Sequence, residues 1–161
     1  MKILGLDAGL CKTGWGVIKR QKSKMKCIDY GLIKPNAKLS LEERLAFLWT
    51  NMMNILQTHS PDHVAIEKTF FGLRNPSSGV MLGAAYGTII STAGLIKTPV
   101  FSYATKMIKR QVAEKGDASK EEIALSVCSL FKIDAINQED ITDALAAALC
   151  HEKLYKPEES V

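Results

Sequence analysis

The chain has 161 residues, enough for one ordinary domain with a full core. Hydrophobic residues make up 47% and charged residues 24%, with 11 Gly, 5 Pro and 4 Cys, which excludes disordered, collagen-like and disulfide-scaffold classes. The net charge of +4 hides an asymmetry: residues 1–120 hold 18 basic and 8 acidic residues, residues 121–161 hold 3 and 9.

Ile3 to Asp7 reads as a short strand ending in a carboxylate, and residues 8–14 as a turn. Trp15 to Ile18 resumes a strand. A hairpin around the basic segment Lys19 to Lys26 leads into a third strand, Cys27 to Ile33. Ser40, with Glu43 three residues on, is a capping box that opens a helix. Leu41, Leu45, Leu48, Met52, Ile55 and Leu56 carry its apolar face to about Thr58. Ser60-Pro61-Asp62 stops it. His63 to Glu67 is a second short strand ending in a carboxylate.

An uncharged helix is predicted from near Ser77 to about Ala93, then a strand from Pro99 to Tyr103. Further helices are predicted at Thr105–Ala113, Ser119–Phe131 and Glu139–Leu154. Residues 1–155 form one domain, and 156–161 a frayed tail. Hairpins followed by alternating elements imply an α/β fold, a mixed sheet covered by helices on both faces.

Cys11, Cys27, Cys128 and Cys150 show no Cys-x-x-Cys pairing and no metal-ligand spacing, which fits reduced thiols in a cytoplasmic protein. The opening Met1-Lys2-Ile3 runs straight into a strand too short for a signal-peptide core. The uncharged stretch between Arg74 and Lys97 is long enough to span a membrane. Its Asn-Pro-Ser-Ser start and its Gly, Thr, Ser and Tyr residues favour instead a helix buried in protein, with a membrane span as the lesser alternative.

A basic body suits a polyanionic partner, because neutralising phosphates releases counterions. Within it, Lys19, Arg20, Lys22, Lys24 and Lys26 read as a solvated, edge-protecting hairpin, with phosphate contact as the alternative. Gly79, Gly83, Gly87 and Ser91 form a small-residue stripe at a spacing of four. It serves either packing on the sheet or a two-fold subunit contact. His59 and His63 flank a turn and read as structural; Lys68 reads as exposed. His151 lies two helical turns beyond Asp143, too far to share a ligand shell with it.

The chemistry-bearing pattern is carboxylate. Asp7 and Glu67 end two short strands; if these are parallel neighbours, both acids emerge at one sheet edge. Asp140 and Asp143 open a helix at i, i+3 and share a face. Four acids around one pocket cannot all stay ionised without a cation, and oxygen ligands suit Mg²⁺ or Mn²⁺. Taken singly, each acid is as readily a turn residue or a helix-dipole partner.

Four segments together resemble the bacterial RuvC crossover-junction endonucleases. They are Ile3-Leu4-Gly5-Leu6-Asp7-Ala8-Gly9, Thr13-Gly14-Trp15-Gly16-Val17-Ile18, Ala65-Ile66-Glu67 and Asp140-Ile141-Thr142-Asp143-Ala144-Leu145-Ala146. The resemblance implies an RNase H-like fold with a five-stranded mixed sheet flanked by helices. It implies a cytoplasmic homodimer that cuts four-way DNA (Holliday) junctions with two Mg²⁺ ions per site, Mn²⁺ being an alternative. The implied partner is the RuvA–RuvB branch-migration complex. By the same resemblance Asp7, Glu67, Asp140 and Asp143 are catalytic metal ligands. Phe70 packs against junction bases, and Lys109 and Lys120 lie near the scissile phosphate. Of Phe70 and Phe71, the first is expected to face outward and the second inward.

The chain departs from the family pattern at three places. Asp7-Ala8-Gly9 replaces the common Asp-Pro-Gly; Glu114-Lys115-Gly116-Asp117-Ala118 is more acidic than the usual loop; Tyr86 stands where Arg is frequent. Two rival functions remain at this level. An actin- or sugar-kinase-like ATP-binding module shares the Asp-x-Gly and Thr-Gly signature but needs a second lobe. A catalytically silent junction-binding protein would lack part of the acidic set.

Overall fold

The computed structural model describes residues 1–22, 24–68 and 76–156. Phe70, Phe71 and all but the first residue of the expected frayed tail lie outside them. Ten elements follow in chain order: β1 (Lys2–Asp7), β2 (Thr13–Gln21), β3 (Lys24–Ile33), α1 (Leu41–His59), β4 (His63–Glu67), α2 (Pro76–Leu95), β5 (Val100–Tyr103), α3 (Thr105–Ala113), α4 (Lys120–Phe131) and α5 (Glu139–Leu154). The five strands form one mixed sheet in the order β3-β2-β1-β4-β5. β1, β2 and β3 pair antiparallel, while β4 runs parallel to β1 and to β5.

The period-2 alternation of β1 explains the two-layered cover. Ile3 faces a core with Ile18, Ala65, Ile108, Ile123, Val127, Leu145 and Leu149, built on α3, α4 and α5. Leu4 and Leu6 face the other side, against Leu48, Met52, Leu56 and Ile89 of α1 and α2. A strand with helices on both faces must be apolar throughout, and Ile3 to Leu6 are all buried.

Capping boxes open α1 at Ser40 and Glu43 and α4 at Ser119 and Glu122. The basic hairpin turns at Lys22, in the left-handed region with φ 56°. Arg20 Nε donates to Glu152 Oε1 at 2.6 Å, while Lys22, Lys24 and Lys26 stand exposed.

Close approach of α5 to the sheet rests on two glycines. A Cβ on Gly5 would lie 1.9 Å from the Ala144 carbonyl oxygen, and one on Gly14 would lie 1.9 Å from that of Asp140. Any side chain there would lift the helix from β1 and β2. α5 therefore lies flush on the sheet, with its first turn beside the ends of those strands.

The expectation of a buried uncharged helix is corrected. α2 is long and apolar enough to cross a membrane, yet Ala85, Ile89, Thr92 and Ala93 form its covered side. Val80 and Leu95 are 69% and 67% exposed, and Met81 and Ile90 are also exposed. The cause is its position on α1 at the β5 margin of the sheet, where no element among the described residues covers its outer face. A Cβ on Gly87 would meet nothing within 4 Å, so at this position the small-residue stripe is not packed on the sheet.

Two of the three histidines form a chain at the far end of β4 from Glu67, while His59 Nε2 lies 3.3 Å from Asp29 Oδ2. His63 Nδ1 is 2.9 Å from His151 Nε2, and the Tyr103 hydroxyl is 2.7 Å from His151 Nδ1. His151 is fully buried, and Phe101 and Tyr155 pack on it.

Candidate active site

Parallel pairing of Leu6 with Ile66 brings Asp7 and Glu67 out at the same edge of the sheet, as the strand-end pattern implies. A cavity of about 270 Å³ opens there, lined by Asp7, Glu67, Asp143, Thr105, Lys109 and Lys120 over Ile108 and Ile123. Three elements supply the polar groups besides β1 and β4: the first turn of α5 gives Asp143, α3 gives Thr105 and Lys109, and the start of α4 gives Lys120.

Asp140 does not line that cavity. Its carboxylate accepts from Lys12 Nζ at 2.9 Å, and it borders a neighbouring cleft with Gly9, Leu10, Cys11 and Met81. The expectation of four acids around one pocket thus resolves into three in the cavity and one beside it. Asp140 still acts on the group: its charge is among those that hold the Asp7 proton on.

The electrostatics are those of crowded acids. Burial pushes the Asp7 carboxyl up to about 7, and the charges of Asp143, Glu67 and Asp140 add to it, with Lys120 opposing. Asp143 is also raised, chiefly by burial, against the pull of Lys120. Lys120 Nζ lies 2.6 Å from Glu139 Oε2 and 3.7 Å from Asp143 Oδ2. That hydrogen bond to Glu139 strengthens its hold on its own proton. Thr105 Oγ1 donates to Glu67 Oε1 and fixes that carboxylate from α3.

Two residues here were not singled out in the sequence, Lys12 and Thr105. Thr105 follows β5 by two positions, and β5 lies beside β4, so its place next to Glu67 follows once the strand order is known. Lys12 carried no signal, because its partner is 128 residues away. Tyr86, the departure of unexplained effect, ties α2 to β5: its hydroxyl is 2.7 Å from Ser102 Oγ. In the acidic loop before α4, Lys115 is paired with Glu122.

The donor set fits hard divalent cations. It is all carboxylate oxygen, and two of its members have raised proton affinity that a cation would reverse. Among the described residues no three acidic, imidazole or thiol groups already stand in a metal-holding arrangement. Asp140 is engaged by Lys12 and Glu67 by Thr105. Cation binding would require Asp140 to exchange its ammonium partner.

Known proteins resemble the chain over most of its length. A family model, Crossover junction endodeoxyribonuclease RuvC, matches residues 3–151. The crossover junction endodeoxyribonuclease RuvC of Paramagnetospirillum magneticum is 38% identical over 151 residues, covering 94% of this chain and 90% of that protein. The structure of Thermus thermophilus RuvC in complex with Holliday junction substrate superposes with a TM-score of 0.88 at 28% identity, over 94% of this chain and 93% of that one. The yeast mitochondrial Holliday junction resolvase gives 0.66 at 13% identity, over 92% and 77%, a likeness of fold alone.

Proposed function

Because the chain belongs to the RuvC family of crossover junction endodeoxyribonucleases, the Holliday junction resolvases of recombination and repair, we propose that it cuts four-way DNA junctions at the strand-end acid cavity. The observation that carries this reading is the convergence of Asp7, Glu67 and Asp143 with Lys109 and Lys120 on one cavity. Catalytic nucleases need oxygen ligands and cationic side chains at the same phosphate, and this cavity supplies both.

Asp7, Glu67, Asp140 and Asp143 would hold two Mg²⁺ ions, or Mn²⁺. When bound, such ions stabilise the attacking and leaving oxygens of an in-line phosphoryl displacement. Asp7, whose carboxyl is raised to about 7, would have to release its proton to solvent to serve as a ligand. Thr105 holds Glu67 in place through its hydroxyl. Lys109 and Lys120 line the same cavity and neutralise charge that builds on the phosphate oxygens. Phe70, outside the described residues, follows Glu67 by three positions and would stack on an unpaired base.

The open face of α2 supports a homodimer. Gly87 has free space above it, with Val80, Met81 and Ile90 exposed on the same helix. Two copies related by a two-fold axis would carry two sites and cut two strands symmetrically. Cytoplasmic action with the RuvA–RuvB complex belongs to the same reading.

The test is cleavage of a synthetic mobile four-way junction beside linear duplex, with and without Mg²⁺. Junction-selective, Mg²⁺-dependent cuts placed symmetrically in two strands are expected. Equal cutting of duplex, or junction binding with no cutting in Mg²⁺ or Mn²⁺, would overturn the proposal.

A further inference from the structure

Next to the cleft that Asp140 borders, and sharing Cys11 and Lys12 with it, lies a third, of about 500 Å³, that the displacement above does not use. Its walls are Cys11 and Lys12 from the β1–β2 loop, residues 34–37 after β3, Arg44 in α1 and Gln138 at the cap of α5. Three cations line it, Lys12, Lys34 and Arg44, and among the described residues no carboxylate does.

Its donors are under-used. Arg44 Nη2 donates to the Leu10 carbonyl at 3.1 Å and stands 3.3 Å from Cys11 Sγ, but its Nε is buried without a hydrogen-bond partner. A buried guanidinium N–H left unpaired is costly, and an anion that draws the Arg44 side chain toward the cleft would relieve it. Lys34 is exposed and, among the described residues, makes no ion pair. Gln138 caps α5 without using its side chain. Asn36 Oδ1 is taken by the Lys38 N–H at 2.9 Å, which leaves its Nδ2 to donate.

Lys12 connects this cleft to the acids. It lines the cationic cleft, and its ammonium is bonded to Asp140. We propose that the Lys12–Lys34–Arg44 cleft is a phosphate subsite that holds the DNA backbone beside the strand being cut. The direction of the strand in this proposal rests on the reading of the acid cavity as the cleavage site. An anionic chain leaving that cavity on the α1 side meets Lys12 first and then Lys34 and Arg44, with Gln138 and Asn36 as neutral donors. Phosphodiester oxygens are the ligand chemistry: the walls offer charge and N–H groups and, among the described residues, no aromatic ring for a base to stack on.

The experiment measures four-way junction affinity of the full chain against salt, in Ca²⁺ to hold the junction intact, for wild type, Lys34→Ala and Lys34→Glu. Lys34 is exposed, so both variants keep the fold. Loss of one phosphate contact lowers the log–log salt slope by about 1 in Lys34→Ala, and Lys34→Glu binds more weakly still. An unchanged slope in both variants overturns the subsite. A titration with inorganic phosphate separates the sources of the ligand. Phosphate binding lost in Lys34→Ala, with the junction slope intact, would give the cleft to a small free anion and overturn the DNA assignment. The result is independent of the cleavage reading, which stands or falls with Asp7→Asn: a lost slope with persistent cutting in that variant keeps the subsite and removes the acid cavity.

Discussion

Lys12 Nζ donates to Asp140 Oδ2 at 2.9 Å, so one of the four acids is already matched by a cation of the chain itself. The pair tightens the Lys12 hold on its proton, through the hydrogen bond first and the charge second. A divalent ion that needs Asp140 must displace this ammonium. Lys12→Ala should therefore bind Mn²⁺ more tightly in the absence of DNA. The pair is exposed to water, so the gain is roughly two- to fivefold. Calorimetric titration of the DNA-free protein reads it directly. Equal or weaker Mn²⁺ binding in the variant would show that Lys12 does not compete.

Two buried groups give opposite pH slopes to stability. The folded chain keeps a proton on Asp7 up to about 7, whereas the unfolded chain releases it near 3.8. Between those values the folded state binds more protons, so the Asp7 contribution falls as pH rises and levels off above 7. His151 runs the other way: burial, then the nearby His63, lowers it from 6.5 to about 4. There the unfolded state binds more protons, and stability is lost as pH falls through that window. Asp7→Asn removes the first slope and leaves the second. In metal-free buffer its melting temperature should gain on wild type steadily from pH 4 to pH 7, with the full gain on the order of a few kcal/mol. A difference that stays constant across that range would refute the assignment.

What could be read in the sequence was local. Strand-end acids, capping boxes and 3.6-residue periodicity placed Asp7, Glu67, Ser40 and the spans of α3 and α5. A short apolar run bounded by turn residues reads as a strand, and a capping box needs only four residues. Contacts between distant segments were not legible, because no periodicity encodes them. The Lys12–Asp140 pair, the Thr105–Glu67 hydrogen bond and the His63–His151 chain all depend on the order of strands in the sheet. The exposure of α2 was missed for a related reason. Val80 and Leu95 look like core residues, and composition does not say whether anything covers them.

Chemistry and binding should separate at the acid cavity. Asp7→Asn removes a charge from the cluster without changing its shape. It should bind a four-way junction as wild type does and cut it at least roughly 100-fold more slowly. Anisotropy and single-turnover cleavage, run on the same junction, measure the two. Thr105→Val tests the support of Glu67: loss of the hydroxyl should slow cutting roughly 10- to 100-fold, with Thr105→Ser restoring it. A valine variant of wild-type rate would leave Thr105 with no positioning role.

The glycines under α5 and the glycine on α2 should respond oppositely to the same change. Gly14→Ala drives a Cβ to within 1.9 Å of the Asp140 carbonyl oxygen, a backbone atom that cannot swing aside. The first turn of α5 must lift, at a cost of at least ~1–3 kcal/mol, and Asp140 and Asp143 move with it. Urea midpoint and cleavage should fall together. Gly87→Ala meets no atom within 4 Å in the single chain, so there the added methyl favours the helix by ~0.5–1 kcal/mol. If two α2 helices approach closely through the Gly79, Gly83, Gly87 and Ser91 stripe, the same methyl pushes them apart. Sedimentation should then show a weaker dimer from a chain whose monomer is more stable. A dimer unaffected by Gly87→Ala would move the subunit contact off this stripe.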